Sequence, residues 1–314
     1  MMRYAARRLL GAIPTLFVII TLAFFMMRAA PGGPFDSERR LPPEVERNVK
    51  AAYNLDKPLA QQYWIYLGKL AHGDLGPSYK NKDFTVVQLI ATGLPVSARL
   101  GVAAMTLALL LGTLLGVMAA LKQNRWEDYS VMGAAMLGIT IPTFVTAPLL
   151  TLVFGIYGVS LFGHELSLPV GGWNGGALAN MILPVTVLAL PQIAIVARLM
   201  RGSMIEVLRA NYIRTARAKG LGTLRIVLGH ALRAAALPLV SYLGPALAAV
   251  LTGSLIVEQI FGLPGIGRYF VQGALNRDYT LVLGVVICYA ALIIALNFLA
   301  DIVYGILDPR VRLT

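Results

Sequence analysis

The stretch that decides the fold is residues 213–238, IRTARAKGLGTLRIVLGHALRAAALP, a long basic segment between two very apolar ones. Its basic side chains interleave with Ala, Leu, Ile and Val at helical spacing, and they are Arg214, Arg217, Lys219, Arg225, His230 and Arg233. Gly220 interrupts this pattern, so we predict two helices joined by a turn at Gly220–Gly222. Such an amphipathic elbow suits the cytoplasmic side of a membrane protein. Taken alone, however, the segment favours a simpler interpretation, a basic loop attracted to anionic lipid headgroups.

The composition around this stretch is that of an integral membrane protein. Of the 314 residues, 57% are hydrophobic and 13% are charged, whereas a soluble domain is about 45–50% apolar and 25% charged. The net charge of +12 does not indicate nucleic-acid binding, because no soluble basic domain or aromatic-studded basic patch carries it. Cys288 is the only cysteine, which excludes an intramolecular disulfide and a thiolate cluster and favours a packing role.

Six apolar segments are long enough to span a bilayer, so we predict an all-α protein with six transmembrane helices. They cover residues 9–27, 97–121, 129–157, 181–200, 239–257 and 280–306. Spans three and four each contain two prolines, which we expect to break them: Pro142, Pro148, Pro184 and Pro191. Gly112 and Gly116 form a G-x-x-x-G pattern that permits close helix approach.

Residues 30–94 differ from the spans and predict a small ordered cap outside the membrane. This segment contains seven of the 15 acidic residues and several proline-rich turns. Two helical patterns cover residues 44–53 and 59–70, and HGDLGPSY at 72–79 is typical of a turn.

Lys and Arg indicate the orientation. With the N-terminus inside, the inner segments hold 15 basic and four acidic groups, and the outer segments hold ten of each. This asymmetry predicts six spans with both termini in the cytoplasm.

Catalytic patterns are missing from the sequence. GLPGIG at 262–267 lacks the lysine of a phosphate-binding loop, so it predicts a tight re-entrant turn. The three histidines, His72, His164 and His230, have no metal-ligand spacing. Asp301 is the clearest charge within a span, and we expect it to face the bundle interior and pair with a polar group.

Two classes remain: the membrane half of a pump driven by a separate ATPase, and an ion-coupled secondary carrier or channel that works alone.

The elbow distinguishes these classes, because it resembles the "EAA" loop in membrane subunits of bacterial ABC importers. That loop reads Glu-Ala-Ala, three residues, Gly, and later an apolar-x-Leu-Pro ending. Here Arg214 stands at the Glu position, Thr215 at the first Ala, and Ala216 and Gly220 match. The Arg214 and Thr215 departures and the longer gap before Leu-Pro are typical of the peptide-importer branch.

The resemblance extends over nearly the whole chain, to the B-type membrane subunits of oligopeptide importers. The stretches that carry it include APGGPF (30–35), LPPEVE (41–46), HGDLGPSYK (72–80), GGWNGGAL (171–178), RGSMIEVL (201–208) and GLPGIG (262–267). Dipeptide, murein-peptide and nickel importers share the elbow and GLPGIG but match the first loop and GGWNGG less well, and they remain the alternatives.

This resemblance implies the type I ABC importer permease fold in a multi-pass protein of the bacterial inner membrane. Its expected parts are an N-terminal tail with the first span (1–29), a periplasmic helical cap (30–94), the ABC transmembrane type-1 domain (95–308) and a cytoplasmic tail (309–314). The implied partners are a homologous second permease subunit, two cytoplasmic ATPase subunits, a periplasmic peptide-binding protein, the peptide and membrane lipid. ATP and Mg would bind the ATPases, and this chain would bind no cofactor.

The resemblance also implies particular site residues. The elbow would be the coupling helix seated in an ATPase cleft, through Arg214, Thr215, Ala216, Arg217, Ala218, Lys219, Gly220 and Leu221. Gly220 permits the turn, and Ala216 and Ala218 allow close packing. On the periplasmic side, the candidates for contact with the binding protein are Gly171, Gly172, Trp173 and Asn174. ATP-driven movement of the elbow would rock spans three to six, giving alternating access.

Overall fold

The computed structural model describes residues 2–29, 44, 47, 51, 54–81, 83–161 and 164–307. The α-helices are α1 (Met2–Ala29), α2 (Leu59–Ala71), α3 (Val86–Leu121), α4 (Trp126–Thr140), α5 (Thr143–Leu150), α6 (Leu178–Leu208), α7 (Asn211–Ala218), α8 (Thr223–Ile226), α9 (Leu232–Ala235), α10 (Leu237–Ile260), α11 (Ile266–Leu275) and α12 (Tyr279–Leu307). Shorter elements are π-helices Thr151–Ile156 and Val227–Ala231, a 3₁₀ turn Asn174–Gly176, and the antiparallel strands β1 (Val159–Leu161) and β2 (His164–Leu166).

The helices confirm the predicted all-α membrane architecture. Five of them, α1, α3, α6, α10 and α12, contain segments long and apolar enough to cross a membrane. A sixth candidate span consists of α4 with α5 and its π-helical extension, which meet at an angle of 105°. The small β1–β2 hairpin follows this bent pair.

Prolines break one of the two spans predicted to be broken. The bend between α4 and α5 falls at Pro142, where Ile141 takes an extended conformation, as expected for a residue that precedes proline. In contrast, α6 continues through Pro184 and Pro191 without interruption. The prediction of a broken fourth span is therefore wrong, because a well-packed membrane helix accommodates a proline when its neighbours hold the backbone in place.

The helix that contains the second predicted span begins before the predicted start of that span. Thr85 and Gln88 form a capping box, in which each side chain bonds the other residue's backbone N–H. Helix α3 therefore begins at Val86, and the predicted boundary between residues 94 and 95 lies inside it.

Helices α3 and α6 form the centre of the bundle, and the G-x-x-x-G pattern joins them. A Cβ atom added at Gly112 would lie 2.7 Å from Val196, and one added at Gly116 would lie 2.6 Å from the Ala197 carbonyl oxygen. Neither glycine has room for a side chain, so the predicted close helix approach is confirmed.

The first span packs along the last one. Arg8 of α1 forms a salt bridge with Asp301 of α12, with 3.1 Å between Nη1 and Oδ2. The expectation that Asp301 pairs with a polar group is confirmed, and that group is the charged guanidinium of Arg8. Cys288, also on α12, is half-buried beside the core of this region, as expected for a packing residue.

The described part of the cap agrees with its predicted helices. Glu44, Arg47 and Ala51 are helical, in line with the helix predicted over 44–53. Helix α2 covers the second pattern, and the segment after it turns back to pair Pro77 with Thr85. The expectations for residues 30–43 and for the tail 309–314 lie outside the described residues.

Candidate docking surface

The predicted elbow is present, and its turn has a defined geometry. Helix α7 ends at Ala218, and Gly220 follows with φ of +78°, a conformation that glycine adopts without strain. The Gly220 N–H donates to the Arg217 carbonyl (2.9 Å), and the Leu221 N–H donates to the Ala216 carbonyl (3.3 Å). This pair of bonds is a Schellman motif, which satisfies the last carbonyls of the helix. Helix α8, a π-helical turn and α9 then lead into α10.

One face of the elbow is anchored in the protein. Ile213 and Ala216 of α7, together with Ile226 and Val227 beyond the turn, are buried. They pack in one cluster with Ala120, Met200 and Met204 from the ends of α3 and α6, and Leu221 packs against the same cluster. These contacts join both arms of the elbow to the central helix pair.

The opposite face is open, and it combines positive charge with apolar surface. The cations Arg214, Arg217 and Lys219 are exposed, and in the part of the chain that the structure describes none of them forms an ion pair. Three large side chains of the same segment are exposed as well: Tyr212, Leu224 and Leu228. Thr215 and Ala218 are exposed too, whereas Ala216 is buried against the protein. A mixed apolar and cationic face of this kind is typical of a protein interface.

An ion pair with a buried carboxylate lies at the elbow end of α6, and the sequence did not reveal it. Asp128 at the start of α4 accepts two hydrogen bonds from Arg201 of α6, both of 2.6 Å. The Asn124 N–H donates to the same carboxylate (3.0 Å), and the Asp128 side chain is buried. Both residues were counted only as inner-side charges; their pairing follows from the packing of α4 on α6, which no local pattern indicates.

At the other end of the bundle, the GGWNGG loop rests on the turn after α10. The Gly172 N–H donates to the Phe261 carbonyl (2.8 Å), and the Asn180 amide donates to the carbonyls of Gly171 and Gly172 (3.1 and 3.0 Å). Gly171 has no room for a Cβ against Phe261. Trp173 is partly buried against the core. Of the four predicted contact residues, Gly172 and Asn174 are the exposed ones, and Gly171 and Trp173 hold the loop in place.

Two buried carboxylates organise the loops at this end, and sequence reasoning had assigned them no role. Glu258, fully buried, accepts from the Gly267 N–H (2.8 Å) across the GLPGIG turn, and the Ile266 N–H donates to Ser97 (3.0 Å). These bonds close the GLPGIG turn; whether it re-enters the membrane stays a prediction. Asp278, also fully buried, accepts from the Ser78 hydroxyl and from the Lys80 N–H.

Asp278 also caps a helix. The Leu281 N–H donates to its carboxylate (3.2 Å) in the first turn of α12. The same carboxylate therefore joins the cap to the last span. Among the described residues, no group of three His, Cys, Asp or Glu side chains has a geometry that could hold a metal ion.

An apolar bundle of up to six candidate spans with an anchored elbow defines a multi-span membrane protein. The family described as "binding-protein-dependent transport system inner membrane component" matches residues 112–313, and its N-terminal counterpart matches residues 1–101. The chain belongs to this family. It is therefore a multi-pass inner-membrane protein.

Curated relatives match the chain over its full length. It is 56% identical to the oligopeptide transport system permease protein OppB of Escherichia coli K12 over 312 residues, which cover 99% of this chain and all of the relative. The same-named protein of Haemophilus influenzae is 53% identical with the same coverage. The dipeptide transport system permease protein DppB of Bacillus subtilis is 42% identical over 313 residues, which cover all of this chain and 99% of the relative.

Proposed function

We propose that this chain is a membrane-spanning subunit of an ATP-driven importer that carries oligopeptides across the inner membrane. The relatives named for oligopeptide transport are 53–56% identical to it, whereas a relative named for dipeptide transport is 42% identical. Identity over the full length supports the longer peptides as substrates. The chain itself forms part of the pathway, and ATP with Mg binds to separate ATPase subunits.

The observation that carries this proposal is the two-sided elbow. Its inner side chains are buried among the ends of α3 and α6, and its outer face presents Arg214, Arg217 and Lys219 beside Leu224. Segments that rest on lipid also combine cations with exposed apolar side chains, so the exposed face alone does not select the partner. The rigid backing by α3 and α6 and the family membership favour a protein partner, and we assign that partner as a cytoplasmic ATPase subunit whose cleft receives α7 and the Gly220 turn.

The remaining partners follow from this assignment. A homologous second permease subunit completes the pathway, two ATPase subunits drive it, and a periplasmic binding protein delivers the peptide. Both termini then lie in the cytoplasm, on the same side as the elbow. Closure of the ATPases moves the elbow, and the shared core with α3 and α6 carries that movement into the spans as alternating access.

At the periplasmic end, we assign contact with the binding protein to the tip of the GGWNGG loop. Asn174 is exposed there, and the bonds from Asn180 and to Phe261 hold the loop in a fixed position. Trp173 borders this tip. Crosslinking from Asn174→Cys to the binding protein is expected, whereas crosslinks that reach only lipid would contradict this assignment.

The elbow's coupling role is tested by peptide uptake into proteoliposomes that contain the complete transporter. Gly220→Val introduces a β-branched residue at φ of +78°, which costs about 1–3 kcal/mol and distorts the turn. We expect ATP-dependent uptake of a labelled tetrapeptide to fall at least about tenfold, which is the effect of about 1.4 kcal/mol on the productive state.

Gly222→Ala is the matched control. Gly222 has φ of −69° with nothing within 4 Å of an added Cβ, so uptake should stay near that of the unmodified protein. Unchanged uptake by Gly220→Val would contradict the coupling role.

The same assay with a labelled dipeptide distinguishes the substrate classes, because preferential dipeptide uptake would contradict the oligopeptide assignment while leaving the elbow's role intact.

A further inference from the structure

Helix α6 is packed on three sides and open on the fourth. Helix α3 covers one side through its G-x-x-x-G contact. Helix α4 covers a second side, where Ala135 packs with Ala194 in a buried cluster. Helix α10 covers a third side, where the Tyr242 hydroxyl donates to the Gln192 side-chain oxygen (2.8 Å). Because Ala194 and Gln192 are two residues apart, they point about 160° away from each other on the helix, so α4 and α10 stand on opposite sides of α6.

The open side of α6 carries an arginine. Successive turns of the helix place positions 191, 195, 198 and 202 between α4 and α10, on the side that faces away from α3. Among them, Arg198 and Gly202 are exposed. Arg198 lies close enough to Tyr242 for its charge to act on the hydroxyl group, so the arginine borders α10. The three helices thus form a groove with Arg198 on its floor.

This groove is closed toward the GGWNGG loop and open toward the elbow. The bend at Pro142 brings α5 against α10 and α6. Ala147 of α5 is fully buried there, in one cluster with Val187 of α6 and Val250 of α10. Arg198 follows Val187 by eleven residues, which places it about 16 Å nearer the elbow. It therefore lies beyond this apolar closure, in the part of the groove that remains accessible.

Arg198 also lies within the apolar length of the spans. Gly116 of α3 lies against Ala197, and α3 continues for five residues beyond Gly116, about 8 Å, to Leu121. Both helices are candidate spans. A charged side chain at such a depth is costly against lipid tails, and in membrane proteins it nearly always faces a partner or a water-filled space. The position of Arg198 therefore indicates a ligand within the groove.

The described chain leaves the charge of Arg198 unbalanced. Among the described residues, its side chain forms neither an ion pair nor a hydrogen bond. Two carboxylates lie at this end of α6. Asp128 is bonded to Arg201, and Glu206 follows Arg198 by eight residues, about 12 Å along the helix. The groove therefore presents the guanidinium of Arg198 to an anionic group of another molecule.

We propose that Arg198 binds the C-terminal carboxylate of the peptide as the peptide passes along this groove toward the elbow. The inference rests on the proposed peptide transport. A guanidinium donates two parallel hydrogen bonds to a carboxylate, and every unmodified peptide carries this group whatever its side chains are. At an accessible position such a pair is weak, so the peptide is released easily. Arg198 thus selects for a free C-terminus and not for particular side chains.

The test compares uptake of a labelled tetrapeptide with uptake of the same tetrapeptide carrying a C-terminal amide, in proteoliposomes that hold the complete transporter and its binding protein. The unmodified transporter should take up the free acid faster. In Arg198→Gln the ratio of the two initial rates should fall about fivefold, the most that an exposed ion pair contributes, while uptake of the amide is retained. The binding protein is the same throughout, so its own preference cancels when the ratios of two variants are compared.

Two further variants serve as controls. Arg198→Lys keeps the charge and should keep most of the preference for the free acid. Arg125→Gln removes an exposed cation from the turn between α3 and α4, and its ratio should equal that of the unmodified transporter. An unchanged ratio in Arg198→Gln would overturn the proposal. Equal loss of both peptides would overturn it too, and would mean that lipid or the second permease subunit covers Arg198. If the unmodified transporter takes up neither tetrapeptide, the proposed function itself fails.

A second measurement uses the unmodified transporter, so it does not depend on how the variants fold. A tetrapeptide with a photoreactive C-terminal residue is illuminated during ATP-driven uptake, and the crosslinked positions are read by mass spectrometry. Crosslinks should concentrate on α6 between positions 195 and 202. The same peptide with the photoreactive residue at its N-terminus should label this stretch several-fold less. Equal labelling from both ends, or no labelling of this stretch, would contradict the proposal.

Discussion

The two ends of the molecule use charged side chains in opposite ways. At the elbow, Arg214 and Arg217 are exposed and have no carboxylate partner in the described chain. At the other end, Glu258 and Asp278 are fully buried and accept bonds from backbone N–H groups of the loops they organise. The first set is available to another molecule, and the second set bonds the fold itself, although Glu258 Oε1 has no hydrogen-bond partner among the described residues.

This contrast indicates which charges belong to architecture and which to function. A buried carboxylate without its partners would cost several kcal/mol, so its contacts have to form whenever the protein folds. An exposed arginine costs the fold nothing and contributes little to it. Substitutions at Glu258 and Asp278 should therefore lower stability, and substitutions at the elbow's outer face should lower transport.

The largest loss of stability is expected at Asp128. This buried carboxylate lies at the elbow end, so it tests whether burial or position in the molecule determines the loss. Asp128→Ala removes both 2.6 Å hydrogen bonds of Arg201, whose own side chain is 28% exposed, so we expect a loss of about 3 kcal/mol, the upper end for hydrogen bonds to a charged group. The measurement is unfolding in mixed micelles. Lys122→Gln is the control, since its pair with Glu127 spans 3.6 Å at the surface and should contribute at most about 1 kcal/mol. Equal losses for the two variants would show that burial of the carboxylate does not determine the loss of stability.

A smaller loss is expected at Glu258. Glu258→Ala removes the acceptor of the Gly267 N–H and leaves the GLPGIG turn unclosed, and a hydrogen bond to a charged group contributes about 1.5–3 kcal/mol. Unfolding in mixed micelles measures this loss. Glu206→Ala, an exposed carboxylate at the end of α6, should change stability by less than about 0.5 kcal/mol. A Glu258 variant as stable as the Glu206 variant would contradict the architectural role.

The smallest change in stability is expected at Arg217. Arg217→Gln alters an exposed side chain, so unfolding should shift by less than about 0.5 kcal/mol. ATP-dependent uptake should nevertheless fall several-fold, and more at low salt, where the lost attraction is least screened. A stability loss as large as that of Glu258→Ala would remove the distinction between the two ends.

Features determined by neighbouring residues could be predicted from the sequence. The spans follow from apolar runs. The Gly220 turn follows from a glycine within a helical pattern, and the observed φ of +78° shows why that position needs a glycine. The contact at Gly112 and Gly116 follows from a spacing that places both on one helix face. The early start of α3 was also readable, because Thr85 and Gln88 have capping-box spacing.

Features that depend on which helices are neighbours could not be predicted. Arg201 lies 73 positions after Asp128, and Asp278 lies 200 positions after Ser78. Nothing local to either residue distinguishes a buried partner from a solvated charge. The unbroken α6 belongs to the same class, since the packing around Pro184 and Pro191 decides whether the helix continues.

The most direct test of the elbow as a docking surface is the amount of ATPase that purifies with the transporter when Leu224 is changed to Asp. Leu224 is 71% exposed on the outer face, and Leu275, 77% exposed on α11 at the other end of the bundle, provides the matched control. We predict that Leu224→Asp retains less than about a tenth of the ATPase, because a charge in an apolar contact costs more than about 1.4 kcal/mol, while Leu275→Asp retains all of it. Full ATPase recovery with Leu224→Asp would contradict the account.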